Sequence, residues 1–151
     1  MGVPPPSSVK AFILGALISR FMPLDITKQV ELDHSTALGK LKEELKARKW
    51  GVLADIDVKS LLKEKIGEEI EKYNILDVCN PKLANEGLRA TKTAGLVLPC
   101  KMAVYVENGS TKVGLYLPTR QLPEELKNDH PELRKLSEEA EASLKQVLET
   151  I

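Results

Sequence analysis

Two cysteines are the residues of this chain that could most directly do chemistry. The chain has no thiols besides Cys79 and Cys100. Cys79 comes directly before Asn80 and Pro81, a pair that predicts a helix start, because Asn caps free N–H groups and Pro suits the first helical position. The dipole of a helix N-terminus favours a thiolate, the form that attacks electrophiles. Cys79 is therefore the candidate catalytic residue, and a buried, inert thiol is the alternative for it and even more for Cys100.

A candidate ligand site surrounds the same turn. The predicted strands mostly alternate apolar and polar residues, which predicts a sheet with helices on one face and a second face that is polar and open. Projecting the strands onto that open face gives Asp25, Glu31, Asp55, Asp77, Cys79, Lys101, Tyr105, Lys112 and Tyr116. The candidate ligand-binding residues are Asn80, Lys101, Tyr105, Tyr116, Asp77 and Cys100. Free N–H groups at the helix start would suit a small anionic or carbonyl ligand, and a merely solvated face is the alternative.

Other chemistries have no basis in the sequence. It contains no CxxC, HExxH or paired-His spacing, so no metal site is expected. It also lacks a G-x-G-x-x-G, a Walker loop and a G-x-S-x-G, and no cofactor can be named. Lys plus Arg and Asp plus Glu both number 22, so the net charge is zero, and aromatic residues make up only 4%. These values argue against a nucleic-acid partner, which would require a basic excess or stacking platforms.

The elements that position these residues predict an α+β fold. At 151 residues the chain is long enough for one domain with a proper core. We expect a two-layer sandwich: a mixed β-sheet, helices mainly on one face, and a C-terminal β-hairpin followed by a long helix. The predicted strands cover 25–32, 51–57, 72–79 and 96–106, and the last helix begins at Pro131. Pro99 cannot donate to a strand ladder, so a bulge there would move Cys100 from the apolar face to the open face.

The hairpin is the strongest local signal. Asn108 and Gly109 both tolerate positive φ, as a two-residue hairpin turn requires. Such a turn pairs Val106 with Thr111, Val104 with Val113, and Met102 with Leu115.

The N-terminal part of the chain differs from the rest. We expect residues 1–23 to be an apolar extension and residues 24–151 to be a single domain, with a core over 24–118 and C-terminal helices over 121–151. The apolar run 11–18 is too short to span a bilayer. A helix packed on the domain or on a partner subunit is the favoured interpretation of residues 9–22. Membrane contact and targeting are the alternatives.

A resemblance to a known family rests on three runs: WGVLADIDVKSLLKEKIG, VCNPKLANEGLRAT and GLVLPCKMAVYV. Together they resemble the family called domain of unknown function 302, over about residues 24–118. Cys79 and Cys100 match its two recurrent cysteine positions, whereas Trp50 stands where the family more often has Phe. The resemblance implies a compact, often dimeric α+β domain from prokaryotes and implies no activity.

Three functional hypotheses follow. The first is a non-enzymatic, homodimeric binding or accessory domain whose ligand is unknown, with residues 9–22 or the 133–151 helix in the contact. The second is a thiol-dependent redox protein or enzyme that uses Cys79 with Cys100. The third is a membrane-surface protein held by residues 9–22. Two cysteines are too few for a secreted disulfide scaffold, so a cytoplasmic location is expected, and the Lys/Glu-rich composition is weakly thermophile-like.

Overall fold

A computed structural model describes residues 23–151 of the chain. The expected extension over 1–23, with the partner or membrane contact of residues 9–22, lies outside the described residues except for Pro23. The elements are β1 Asp25–Val30, α1 His34–Ala47, β2 Gly51–Asp57, α2 Val58–Ile66, β3 Tyr73–Cys79, α3 Pro81–Ala90, a 3₁₀ helix Lys92–Leu96, β4 Cys100–Glu107, β5 Ser110–Tyr116, α4 Pro118–Gln121, α5 Glu124–Asp129 and α6 Pro131–Glu149.

The five strands form one sheet in the order β1-β5-β4-β3-β2. The α+β class, the hairpin and the long final helix are confirmed. The sheet was expected to be mixed, but every pairing between these five strands is antiparallel. Among the strands of residues 23–151 no parallel pair forms, because β1 and β2, which run in the same direction, occupy opposite edges of the sheet. The hairpin strand β5 returns to pair with β1, so those two strands never become neighbours.

The hairpin has the expected register. Val106 pairs with Thr111 and Met102 with Leu115. Asn108 has a φ of 51° and Gly109 a φ of 79°. The turn is held from outside as well, because the N–H of Asn108 donates to Glu71 Oε1 at 3.0 Å.

Helices α1 and α6 cover one face of the sheet, which we call the core face. Leu41 and Leu45 of α1 and Leu144 of α6 are fully buried against it. Trp50 is only 3% exposed, and its indole N–H donates to Ser143 Oγ at 2.9 Å. Each fully buried leucine contributes about 1.5–3 kcal/mol to stability. Both long helices, α1 and α6, pack on this face, as expected for a sheet with helices mainly on one side.

A β-bulge at Leu53 changes the face on which the following residues of β2 lie. The pairing of β2 with β3 shifts between Val52 and Ala54, and Leu53 is 65% exposed. The extra residue reverses the alternation after it. Asp55, expected on the open face, therefore pairs with Leu76 on the core face. There its carboxylate accepts from Asn74 Nδ2 at 2.7 Å and from Lys42 Nζ at 2.5 Å.

Candidate functional site

A cavity of about 80 Å³ lies in the helix layer, beside the ends of β3 and β4. We call it the helix-layer cavity. Its wall is mostly apolar, and α3, the 3₁₀ helix and α6 contribute residues such as Leu83, Ala94 and Leu133. Trp50, Leu122, the ends of β3 and β4, and α4 also contribute to the wall. Segments far apart in the sequence therefore build one mostly apolar cavity.

Gln121 is the unusual polar residue of this cavity. Its side-chain NH₂ donates to the carbonyl oxygens of Val97 and Pro99, both at 2.8 Å. Two bonds to backbone oxygens fix which end of the amide is oxygen. The other end, Oε1, is buried and has no hydrogen-bond partner within residues 23–151. The cavity wall therefore includes a residue whose acceptor is fixed in place and unsatisfied.

Two charged residues hold the segment that carries Gln121. Glu141 of α6 accepts from the backbone N–H of Thr119 at 3.0 Å and also from its hydroxyl. Burial alone would raise the pKa of Glu141, but hydrogen bonds from Lys145 and Thr119 outweigh it and hold the pKa below its ordinary value. Lys127 Nζ donates to the backbone carbonyl of the same residue, Thr119, at 2.5 Å.

Three of the candidate residues border the helix-layer cavity: Cys79, Asn80 and Cys100. Strand β4 begins at Cys100, directly after Pro99, and pairs Cys100 with Val78 without a bulge. Cys100 therefore stays on the core face and packs against the core. Both thiols are free.

The environment of the two thiols opposes ionisation. Burial raises the pKa of Cys79. Burial, together with the neighbouring Cys79, raises the pKa of Cys100 to about 12. Desolvation disfavours the charged form of both thiols. The geometry therefore gives no support to a nucleophilic thiolate at neutral pH.

We expect both thiols to react slowly in the native protein. At pH 8 only about one Cys100 thiol in 10⁴ is ionised, since its pKa is about 12. Alkylation of Cys100 by iodoacetamide should be about 100-fold or more slower than that of glutathione, and Cys79 should react faster than Cys100. Mass spectrometry of timed samples measures both rates, and urea-unfolded protein is the control in which both thiols react fully. A rapid native reaction at either thiol would contradict the inert assignment.

Asn80 uses its side chain to cap α3. Its Oδ1 accepts from the N–H groups of Lys82 at 3.1 Å and Leu83 at 3.3 Å. The N–H of Ala84 bonds to the backbone oxygen of Asn80 at 2.9 Å. The first-turn donors are therefore occupied, and an anion or carbonyl ligand would have to displace the Asn80 side chain.

The remaining four candidate residues lie on the opposite side of the sheet, the open face. Asp77 forms an ion pair with Lys101, its partner across β3 and β4. Tyr105 stacks on Tyr73, with ring centroids 4.9 Å apart and planes 13° apart. Tyr116 lies one residue beyond the Met102–Leu115 pair, where the same register places it beside Lys101. The sheet thus divides the predicted site into two groups, one on each side.

Within the described part of the chain, no group of three or more His, Cys, Asp or Glu side chains is arranged to hold a metal ion. The helices found over residues 23–151 are all too short or too polar to cross a bilayer.

A family model for the domain of unknown function DUF302 matches residues 26–151. The chain belongs to the DUF302 family. It is similar to a crystal structure of an uncharacterized conserved DUF302 protein from Bacillus stearothermophilus, with 32% identity and a TM-score of 0.75. The likeness covers 85% of this chain and 98% of that chain. No match was found among curated proteins. The family match includes the C-terminal helices, beyond the 24–118 range that the sequence runs indicated.

Sequence reasoning about this DUF302 domain missed Gln121. The residue lies in the four-residue helix α4, Pro118–Gln121, which is too short to show a periodic pattern. Its significance depends on the carbonyl groups of residues 97 and 99, and contacts of that kind leave no trace in local composition.

Proposed function

We propose that this DUF302 domain is a non-enzymatic binding or accessory domain that works as a homodimer through the open face of its sheet. The observation that carries the proposal is a row of residues crossing that face. Ile56 pairs with Ile75, Ile75 with Ala103, Ala103 with Gly114, and Gly114 with Thr27. Four of the five residues are apolar, and Ile56 and Thr27 are exposed.

Neighbouring side chains enlarge this apolar row. Leu53, the bulged residue of β2, is one of the most exposed large hydrophobic residues in the described part of the chain. The stacked rings of Tyr73 and Tyr105 flank the row on the other side. An exposed apolar patch on a soluble domain is typical of a contact surface.

The charges around the row suit a second copy of the same chain. In a twofold contact the same patch meets itself, so it needs charges of both signs. The open face supplies the Asp77–Lys101 and Glu107–Lys112 ion pairs. The net charge of the chain is zero, so two copies do not repel each other at long range.

The C-terminal helix is a weaker candidate for the contact. The apolar stripe of α6 is buried within its own subunit, with Leu133, Leu144, Val147 and Leu148 all buried. Residues 9–22, the other candidate for the contact, lie outside the described range. The raised pKa values of Cys79 and Cys100 support a binding role over a thiol-dependent one.

Ala103→Lys tests the dimer. It places a charge in the middle of the apolar row, and a twofold contact would bury two such charges without partners. We expect the full-length wild type to have a dimer's mass at micromolar concentration in size-exclusion chromatography with light scattering. The variant should dissociate about 100-fold or more readily.

The matched control is Leu96→Lys, at a residue that is 84% exposed in the 3₁₀ helix, away from the open face. This variant should remain a dimer. Circular dichroism must show that both variants are folded. A monomeric wild type, or a folded Ala103→Lys variant that is as dimeric as the control, would refute the proposed contact.

A further inference from the structure

We infer that the helix-layer cavity binds a small, uncharged molecule with an apolar body and one hydrogen-bond donor, a hydroxyl or an amide N–H. In this inference Gln121 Oε1 accepts that hydrogen bond. The inference rests on the proposed binding role but does not depend on the dimer. The cavity lies in the helix layer, on the side of the sheet opposite to the open face.

The wall of the cavity excludes a charged ligand. None of the described residues that line it is an Asp, Glu, Lys, Arg or His. An ion inside would lose its hydration and gain no counter-charge, which is strongly unfavourable. An apolar body loses nothing by leaving water and gains contacts with side chains such as Leu83 and Leu133.

Gln121 requires that the polar group of the ligand be a donor. Its amide cannot rotate by 180° without placing an oxygen against the carbonyls of Val97 and Pro99, to which its NH₂ now donates. Oε1 therefore remains an acceptor, and a buried acceptor without a partner reduces stability. A ligand hydroxyl or N–H would satisfy it, whereas a ketone or ether oxygen would repel it.

Water meets these requirements less well than a ligand does. A buried water is normally held by two to four polar groups. Of the other polar side chains in the wall, Ser137 already donates its hydroxyl to the carbonyl of Arg134 at 2.8 Å. Asn80 Oδ1 already accepts from the first turn of α3. The Cys79 and Cys100 thiols are only weak donors and acceptors. A water on Gln121 would thus gain few further strong bonds, while an apolar ligand body would fill the remaining space.

The volume of the cavity limits the ligand to a small body or a small end group. A dry apolar cavity of about 150 Å³ is large enough to bind benzene, which has six heavy atoms. The 80 Å³ found here therefore corresponds to about three to four heavy atoms. Propan-2-ol and propanone both have four heavy atoms and nearly the same shape, and only the alcohol can donate.

These two molecules form a matched pair of probes for NMR titration of the isotope-labelled, full-length protein. Trp50 is the chain's single tryptophan and lines the cavity, so its indole N–H resonance is a unique reporter. We expect propan-2-ol to shift this resonance and the side-chain NH₂ resonances of Gln121 saturably at millimolar concentrations. Propanone should bind at least about fivefold more weakly, because it offers no donor to Oε1.

Ala84→Leu provides the second arm. Ala84 lines the cavity from α3, and a leucine there occupies the ligand's space. The saturable shifts should disappear in this variant. They should persist in the control Ala142→Leu, at an exposed residue of α6.

Each outcome decides the inference. Equal affinity for the two probes would overturn the role of Gln121. Absence of saturable shifts in the wild type, as expected for a cavity that holds only water, would overturn the site itself. Shifts that persist in a folded Ala84→Leu variant would place the binding elsewhere. If that variant fails to fold, the probe pair on the wild type still decides. The NMR titrations do not depend on the oligomeric state of the protein. Failure of the dimer proposal is recognised separately, as a monomer's mass in light scattering.

Discussion

Replacing Asn108 with proline should lower the free energy of unfolding by about 3 kcal/mol. Asn108 has a φ of 51°, and a proline ring holds φ near −65°, so the hairpin turn cannot form unchanged. Proline also removes the N–H that donates to Glu71 Oε1. For a chain of this length, the melting temperature should fall by about 6–12 °C.

Asn108→Gly is the matched control, because glycine accepts positive φ and keeps the N–H donor. It should change the free energy of unfolding by less than about 1 kcal/mol. Urea titrations followed by circular dichroism give both values. If Asn108→Pro melts like the wild type, the turn does not have the described conformation.

The hairpin could be predicted because its information is local. Asn108 and Gly109 are adjacent, and the conformation that they favour sets the register of both strands. Helix starts are local in the same way. Asp57 and Asn80 each accept a hydrogen bond from the first turn of the helix that follows.

The bulge at Leu53 could not be predicted, because the residues around it give no local signal. The run from Val52 to Asp57 fits a regular two-residue alternation as well as it fits a bulge. The deciding contacts come from elsewhere in the fold. The bulge turns Asp55 toward Asn74 and Lys42, and both side chains bond to its carboxylate.

The candidate site was predictable only in part, for the same reason. The signal around Cys79, Asn80 and Cys100 led to one border of the helix-layer cavity. The same signal also led to the open-face residues Asp77 and Lys101, which lie on the other side of the sheet from the cavity. Strand alternation gives the face of each residue but carries no information about a cavity in the helix layer. The contribution of Gln121 arises only when α4 packs beside the end of the 3₁₀ helix.

The segment that carries Gln121 depends on a buried lysine, and its removal is the second change with a large expected effect. Lys127 is only 4% exposed, and its Nζ donates to the carbonyl of Thr119 and to Glu124. Lys127→Ala should lower the free energy of unfolding by about 2–4 kcal/mol, because it removes a charged donor and leaves its buried space empty. Glu124 would keep its contact with Arg134 at 2.9 Å.

Lys135→Ala, at an exposed lysine of α6, is the control and should change stability by less than about 0.5 kcal/mol. Urea titration compares the two variants, and hydrogen exchange reports where the structure loosens. In Lys127→Ala, amide protection should fall first over residues 118–130, because Lys127 and Glu141 both fix Thr119 in that segment. A stability equal to that of Lys135→Ala would show that Lys127 does not hold the segment. Loss of protection spread evenly over the chain would instead show that the lysine supports the whole core.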